Sequence, residues 1–373
     1  MVRSQIVLIF ANLFHFIGIF SARPYMTLLA AENGANDVQI GLVAAVYSIV
    51  QALIAIPISK IVVGNKLKMT MIFGGLCFIF GSAGLTIAIN AFFIGLCSLL
   101  LGLSHVLILM SFQYKVTSIS GHARYKHIGL YAFSSSVGVF VGPIFGGIVY
   151  DYFGSNHSFW CVTILGIVAM IMVLFIDCNS LEKETENWKS LQNIIQNKEV
   201  LYLTLISAIV IFTTEVITVY FPLYGQQLGL STIAIGMILS FGGMSQMLIR
   251  PFLGLIAGNV PKAKLLAICL LCAGIGVFCY GVFHTYHQLL LIAACSGLFL
   301  GLLHPLTMAL VVDVTPPKHR GFALSLRITG TFLGQSISSP IFGVLSILFG
   351  LSPVFLISGI ILMSGTLFCR KTI

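Results

Sequence analysis

The sequence has very little charge. Only 8% of its 373 residues are Asp, Glu, Lys or Arg, whereas 58% are hydrophobic and the mean hydropathy is +1.06. A soluble domain carries about 25% charged residues, so this composition excludes a soluble globular protein. Apolar stretches of the roughly 20 residues needed to cross a bilayer recur along the whole chain. The sequence therefore predicts an all-α integral membrane protein.

Several catalytic signatures are also missing. No G-x-x-x-x-G-K-[ST] motif for binding nucleotide phosphates occurs, and the nine histidines are scattered instead of forming a metal-ligand set. Nearly all of the nine cysteines lie in apolar runs, and Cys269-x-x-Cys272 has no zinc partner or redox loop nearby. We interpret them as small buried hydrophobic residues. The sequence thus predicts no cofactor, no metal site and no enzyme activity.

The apolar stretches resolve into twelve predicted spans. One connection is long and polar, residues 177–199, and we predict that it links two six-helix halves, residues 1–176 and 200–373. The spans are numbered 1 to 12 in chain order: 5–30, 38–59, 69–89, 91–117, 127–150, 158–176, 200–224, 231–257, 263–283, 287–313, 320–349 and 352–369.

The predicted loops on one side of the membrane lack Lys and Arg. If the amino terminus is cytoplasmic, these are the outer loops, near 31–37, 90, 151–157, 225–230, 284–287 and 350, and the loop cations all fall inside. Cytoplasmic loops of membrane proteins are enriched in Lys and Arg. We therefore predict a multi-pass protein with both termini cytoplasmic, and we expect it in a bacterial inner membrane. This asymmetry also explains the net charge of +9 without a nucleic-acid partner.

The two halves repeat short motifs in the same order. GLSH at 102–105 recurs as GLLH at 301–304, KHIG at 126–129 recurs as KHRG at 318–321, and Gln51 resembles Gln246. Repeats of this kind in transporters place the substrate site at their interface, near the membrane midplane.

Span 5 contains the unusual stretch GLYAFSSSVGVFVGPIFGG, residues 129–147. Gly138, Gly142 and Gly146 are four residues apart and share one helix face, where another backbone can approach closely. Pro143 should bend the helix. A generic packing face is the simpler interpretation of any one G-x-x-x-G, but the whole pattern is more specific. Its members are Gly129, Gly138, Gly142, Pro143, Gly146 and Gly147.

This pattern resembles the fifth-helix antiporter motif of the Major Facilitator Superfamily, as found in its twelve-helix drug/proton antiporter branch. The twelve spans, the two halves and the central loop resemble that superfamily over the whole chain. The resemblance implies two bundles that rock around a central cavity, with a contact between spans 5 and 8 that seals against leak. It also implies a small-molecule substrate and a proton as partners, in a monomer.

The sequence departs from the family pattern at two places. The loop between spans 2 and 3 keeps its basic tail, Lys66 and Lys68, but has Gly64 where the family has a gating acid. Span 4 lacks the arginine of the antiporters' R-x-x-Q-G motif. We predict that Lys66, Lys68 and Asp313, at the inner end of span 10, take part in gating.

Glu215 is the only acid well inside any predicted span, and buried ionisable residues in membranes are functional candidates. We predict that it carries the coupled proton, with a structural hydrogen bond as the alternative. His105 and His304 occupy repeat-related positions in spans 4 and 10. Each is a second candidate for proton coupling or substrate contact, unless it is simply a satisfied buried histidine.

The predicted substrate cavity draws on several spans. Arg23 lies eight residues after His15 on one face of span 1, although snorkelling to the interface is an alternative for Arg23. Arg327 in span 11 either contacts substrate, snorkels, or pairs with Asp313. The predicted cavity residues are Arg23, His15, Glu215, Arg327, Gln51 and Gln246.

These features predict a secondary transporter that exports a small organic or amphipathic compound by alternating access, coupled to proton entry. An importer or facilitator of a sugar or an organic anion is the alternative within transport, and the arginines in the spans favour the anion. A carrier of a lipid or siderophore-like metabolite is a further alternative. The sequence does not select among these substrates.

The predicted topology can be tested by labelling. In a variant without the nine native cysteines, a cysteine at residue 187 should react with a membrane-impermeant reagent only after the cells are opened, because the linker is predicted to be cytoplasmic. Labelling of this position in intact cells would contradict the orientation.

Overall fold

The computed structural model describes residues 2–61, 66–117, 123–177, 197–316 and 320–369, and within these ranges it contains helices and no strand. The predicted linker lies almost wholly outside the described residues, so the division of the chain at 177–199 stays a proposal. The α-helices are α1 Val2–Glu32, α2 Asp37–Ile61, α3 Lys66–Leu85, α4 Ala91–Thr117, α5 Ala123–Leu174, α6 Lys198–Val219, α7 Phe221–Gln227, α8 Thr232–Ile249, α9 Leu253–Asn259, α10 Lys262–Tyr280, α11 Tyr286–Asp313, α12 Arg320–Phe349 and α13 Leu351–Cys369.

Ten helical segments of the described residues are long and apolar enough to cross a membrane. One of them, Leu130–Leu174, has 45 residues, about twice the length of a single crossing. It breaks at Gly154 (φ 83°), a backbone conformation that glycine adopts readily, and Ser158 Oγ donates to the carbonyl of Gly146 twelve residues earlier. The all-helical membrane fold is confirmed. The count of twelve stays a prediction, since it also needs the shorter apolar helix Leu351–Leu367.

We call α1–α5 the amino-terminal half and α6–α13 the carboxy-terminal half, as names for these helices only. Most of the contact between them lies along α2 against α12 and α5 against α8. We call the end of the bundle opposite to the chain termini the distal end. There the Ser346 hydroxyl donates across the interface to the Asp37 carboxylate at 2.7 Å, and within the carboxy-terminal half the Tyr220 hydroxyl donates to the carbonyl of Ser339. A Cβ on Gly41 would collide with that same carbonyl. The two halves are thus in backbone contact at the distal end.

The opposite end of α8 and α9 is loosely packed. Helix α9, Leu253–Asn259, has no buried residue, and a Cβ built on Gly254 or Gly258 would meet nothing within 4 Å. Pro251 has no backbone N–H, and the chain forms a 3₁₀ turn over Arg250–Phe252 between the two helices. Helix α9 is therefore less tightly packed than the helices at the distal end, although Arg250 beside it still donates to Ser136 of α5 at 3.0 Å.

The glycine strip of α5 faces α1. A Cβ on Gly142 would lie 2.7 Å from Phe20 Cβ, one on Gly146 would lie 2.8 Å from the carbonyl oxygen of Ser21, and Gly138 is equally close to Phe16. The Ser21 hydroxyl also donates to the carbonyl of Gly142 at 2.8 Å. The strip therefore holds two helices of the same half together.

A different face of α5 contacts α8. At this contact the glycines belong to α8 and the carbonyl groups to α5. A Cβ on Gly236 would lie 2.5 Å from the carbonyl oxygen of Pro143, and a Cβ on Gly243 would lie 3.0 Å from the carbonyl oxygen of Val139. The expected contact between spans 5 and 8 is present, and of the predicted motif Pro143 and Gly147 take part in it. Gly129 lies in α5, but its surroundings are outside the described residues.

Replacing Gly142 by Leu should destabilise the amino-terminal half, because the new side chain would meet the backbone of α1. Overpacking of a filled interior typically costs about 1–3 kcal/mol, and more where backbone must move. Gly258→Leu adds the same side chain where nothing is within 4 Å, and it should change stability by no more than about 0.5 kcal/mol. Thermal unfolding in detergent measures both, and equal melting temperatures would contradict the packing of α5 on α1.

Candidate functional site

An ion pair joins the two halves inside the bundle. Arg23 of α1 donates through Nη2 to Oε1 of Glu215, which is the eighteenth of the 30 residues of the apolar segment Lys198–Gln227. The side chains are 11% and 5% exposed, so both charges are withdrawn from solvent. A buried charge is tolerated when a partner and further hydrogen bonds replace its hydration. This pair is therefore the centre of the candidate site.

Two neighbours complete the surroundings of the pair. Gln335 of α12 donates through Nε2 to Oε2 of Glu215 at 2.9 Å, so both carboxylate oxygens accept a hydrogen bond. The guanidinium carbon of Arg23 lies 4.5 Å from the ring centroid of Tyr47 on α2, a cation–π contact. Helices α1, α2, α6 and α12 converge on this point.

The site can change its charge through one group. Glu215 can take up a proton, after which it attracts Arg23 much less strongly, because the pair then has one charge instead of two. Arg23 is directed to Glu215 inside the bundle instead of snorkelling. The hydrogen bonds that Glu215 accepts from α1 and α12 fit its structural alternative as well, so its role in proton coupling stays a prediction.

Ring contacts connect Tyr47, beside the ion pair, to His105 of α4 and His15 of α1. The His105 ring lies 6.1 Å from that of Tyr47 and is stacked on that of His15 at 5.6 Å, with 17° between the planes. His15 is 1% exposed and lines a small apolar cavity together with Phe78 and Phe112. The structure thus places His15 inside the amino-terminal half, and its role in a substrate cavity stays a prediction.

The repeat-related His304 has different surroundings. Its side chain is exposed, and the guanidinium groups of Arg250 and Arg327 both act on it electrostatically. Arg327 is 2% exposed and donates through Nη1 to the Thr307 hydroxyl at 3.3 Å. It is not paired with Asp313, which instead binds Lys262 at 2.5 Å. Of the alternatives for Arg327, the pairing with Asp313 is thus not found.

The other predicted residues lie around this centre or away from it. Gln51 is 1% exposed in α2, and the backbone of Gln246 in α8 packs against Gly301. Lys68 donates to the carbonyl of Leu174 at 2.8 Å, at the end of α5, whereas Lys66 is exposed. The contacts of Lys68 and Asp313 thus lie within one half each, and their gating role stays a prediction.

Sequence reasoning missed Tyr47 and Gln335 as parts of the site. A signal existed for Gln335, because the glycine pattern of span 5 recurs as Gly321, Gly330 and Gly334, and Gln335 then stands in place of the proline. A polar side chain at that position replaces the helix-bending residue of the first half and reaches Glu215. Nothing in the sequence distinguishes Tyr47 from other tyrosines in spans.

The chain is similar to known transporters. A family model described as Major Facilitator Superfamily matches residues 8–286 and 246–372. The quinolone resistance protein NorA of Staphylococcus aureus (strain MRSA252) is 29% identical over 120 residues, 31% of either chain. A homologue of the multi-drug resistance efflux pump PmrA from Lactococcus lactis subsp. lactis (strain IL1403) is 27% identical over 236 residues, 59% of this chain and 57% of the relative.

Two solved structures share the fold. A POT family transporter in complex with 5-aminolevulinic acid has a TM-score of 0.79 at 14% identity, covering 98% of this chain and 95% of its own. A bacterial homologue of the human lysosomal transporter Spinster, inward-facing and occupied, has a TM-score of 0.78 at 14% identity, covering 99% and 96%. At such identities the likeness establishes the fold alone.

The effects on stability of substituting Arg23 and Glu215 should be strongly non-additive. Removing one partner of a buried pair typically costs about 3–5 kcal/mol, because the other charge stays buried without compensation. We expect Arg23→Gln to lower the melting temperature, and the double variant Arg23→Gln/Glu215→Gln to regain part of that loss.

The exposed pair provides the control. Lys262 and Asp313 are 41% and 49% exposed, so a cycle with Lys262→Gln and Asp313→Asn should give a coupling of only about 0–1 kcal/mol. If the double-mutant cycles at Arg23/Glu215 and Lys262/Asp313 give the same coupling energy, burial does not make the Arg23–Glu215 pair more stabilising than an exposed pair.

Proposed function

Because the chain belongs to the Major Facilitator Superfamily, and is therefore a membrane transporter of small molecules, we propose that it is a proton-coupled exporter that works by alternating access. It would act as a monomer in a bacterial cytoplasmic membrane, with both termini inside. Glu215 would be the proton site, and the space around Arg23 and Glu215 would receive the substrate.

The ion pair between the halves carries this proposal. Arg23 and Glu215 come from different halves, so their attraction favours the arrangement in which α1 and α6 are close. Protonation of Glu215 would remove the negative charge, so that Arg23 would lose the ionic attraction and keep at most a hydrogen bond to a neutral carboxyl group. The free energy that holds the halves in this arrangement would then fall, and the bundle could rock to its other state.

Competition between proton and substrate would give antiport. A bound compound that uses Arg23 or Glu215 must displace part of the pair, and it therefore favours one protonation state of Glu215 over the other. By linkage, the proton then changes substrate affinity by the same factor. Binding of one and release of the other on opposite sides of the membrane couples the two flows.

The relatives support the direction of transport. One is named for quinolone resistance and another as a multi-drug resistance efflux pump, and the second name describes the removal of compounds from cells. The NorA match covers about a third of the NorA sequence, so export is a proposal for this chain and its substrate is open. Histidines 105 and 304 would be the next candidates for the proton if Glu215 does not carry it.

Glu215→Gln should separate coupling from transport. Gln keeps the shape and can accept from Arg23, but it has no titratable proton. In inside-out vesicles, a pH gradient should no longer drive accumulation of a transported compound, whereas exchange of labelled for unlabelled compound should persist without a gradient. Both are measured as uptake over time.

Glu199→Gln is the matched control, since it makes the same change on the same helix at an exposed position. It should leave gradient-driven uptake at the level of the unmodified protein. Undiminished accumulation by Glu215→Gln in response to the pH gradient would overturn the assignment of the proton to Glu215.

A further inference from the structure

We propose that Arg250, His304 and Arg327 form a binding site for the oxyanion group of an organic solute, most simply a carboxylate. This site lies in the carboxy-terminal half, apart from the Arg23–Glu215 pair. The inference rests on the proposed function, because it names the chemical class of the transported compound.

The first observation is a positive charge without a counter-charge. Neither Arg250 nor Arg327 is ion-paired with a carboxylate of the described residues. The Nε atoms of both are buried and have no hydrogen-bond partner among those residues, and the Arg327 side chain is 2% exposed. Charged side chains inside membrane segments pair with one another or mark the route of a substrate. Arg250 and Arg327 therefore offer N–H donors and positive charge to a negatively charged ligand.

The second observation is the location of the three residues. Arg250 reaches across to α5 and donates to the Ser136 hydroxyl at 3.0 Å, so it lies between the halves and not on the outer surface of the bundle. Arg327 of α12 donates to Thr307 of α11, and His304 on the same helix is the exposed member. An anion that arrives between the halves would meet His304 first and the two guanidinium groups behind it.

The third observation is that the repeat in the amino-terminal half lacks this charge. Gly102 packs on Tyr47 and Val50, and Gly301 packs on Gln246 and Ile249. Each residue of the second set is 199 positions after its counterpart in the first.

The same offset relates His105 to His304 and Gln51 to Arg250, so the packing pairs Gln51 with Arg250 and not, as the sequence suggested, with Gln246. The first half therefore has a neutral amide and a histidine stacked on aromatic rings, where the second half has an arginine and an open histidine. The repeat folds with a neutral Gln51 at the position of Arg250, so packing alone does not explain the positive charge of Arg250.

The donor geometry selects the ligand class. A guanidinium group presents planar pairs of N–H donors that match the two oxygens of a carboxylate, and two such groups beside an imidazole can surround one oxyanion. A neutral amide of the same shape would replace one acceptor oxygen by a donor. The site should therefore distinguish a carboxylate from its amide, and this difference is measurable without any gradient.

Equilibrium binding to the full chain tests the site. The probes are dansylglycine, an apolar fluorescent carboxylate, and dansylglycinamide, its neutral amide, with the protein in phosphatidylcholine nanodiscs. Dansylglycine should bind at least tenfold more tightly than the amide. Arg250→Gln and Arg327→Gln should each weaken the carboxylate about tenfold and the amide less than twofold.

Lys262→Gln is the matched control, because it removes a cation of the same half that is already paired with Asp313. It should leave both affinities unchanged. If Arg327→Gln does not fold, the result for Arg250→Gln, at the more accessible arginine, tests the site. Arg327→Lys keeps the positive charge and should keep the preference for dansylglycine over its amide.

Two results would overturn the proposal. One is equal binding of the two probes, or equal losses for both in the arginine variants. The other is loss of dansylglycine binding when phosphatidylglycerol is added to the nanodiscs, which would assign the cations to a lipid headgroup. Because no proton gradient is present, a failure here leaves the role of Glu215 open, and a failure of the Glu215→Gln experiment leaves this site open.

Discussion

The structure depends on one electrostatic constraint, the burial of a positive and a negative charge that come from different halves of the chain. In a medium of low dielectric constant neither Arg23 nor Glu215 is tolerable alone, and together they attract each other far more strongly than in water. The cation–π contact with Tyr47 and the amide of Gln335 supply what hydration would otherwise give. The pair that joins the halves is thus also the place where, under the proposed coupling, a single proton would weaken their attraction.

Close helix packing keeps these charges in position. Apolar side chains gain nothing by leaving lipid for a helix interface, so helices in membranes associate where small residues let backbones touch. The glycines of α5 bring α1 close, and α1 carries Arg23. The glycines of α8 bring α5 close, and the turn that follows α8 carries Arg250. The two charged sites are therefore both attached to glycine-packed helices.

Much of the architecture was predictable from the sequence, and the reasons are physical. The absence of charge and the recurring apolar runs determine a helical membrane protein, and the repeated motifs with the glycine pattern indicate the family. The burial of Glu215 follows from its isolation in an apolar stretch. The partner of Glu215 does not, because Arg23 lies 192 residues earlier and only the packing of α1 near α6 brings them together.

The helix that packs on the glycine strip of α5 was not predictable either. Three glycines on one side of α5 specify a close neighbour but not its identity, and both α1 and α8 are apolar helices. The asymmetry between the two histidines is likewise a property of the fold: identical spacing in the sequence places His105 among aromatic rings and leaves His304 exposed. Repeats predict equivalent positions, whereas their surroundings depend on residues outside the repeated motif.

The distal contact between the halves has a consequence for conformational entropy. Backbone carbonyls of Ser339, Asp37 and Pro143 meet glycines there, and glycine has no side-chain rotamers to lose. If the halves part and rejoin as proposed, these backbone contacts would order and release fewer side chains than an interface built from long side chains. Such a contact favours motion of the halves as nearly rigid bodies, with few intermediate arrangements between joined and separated.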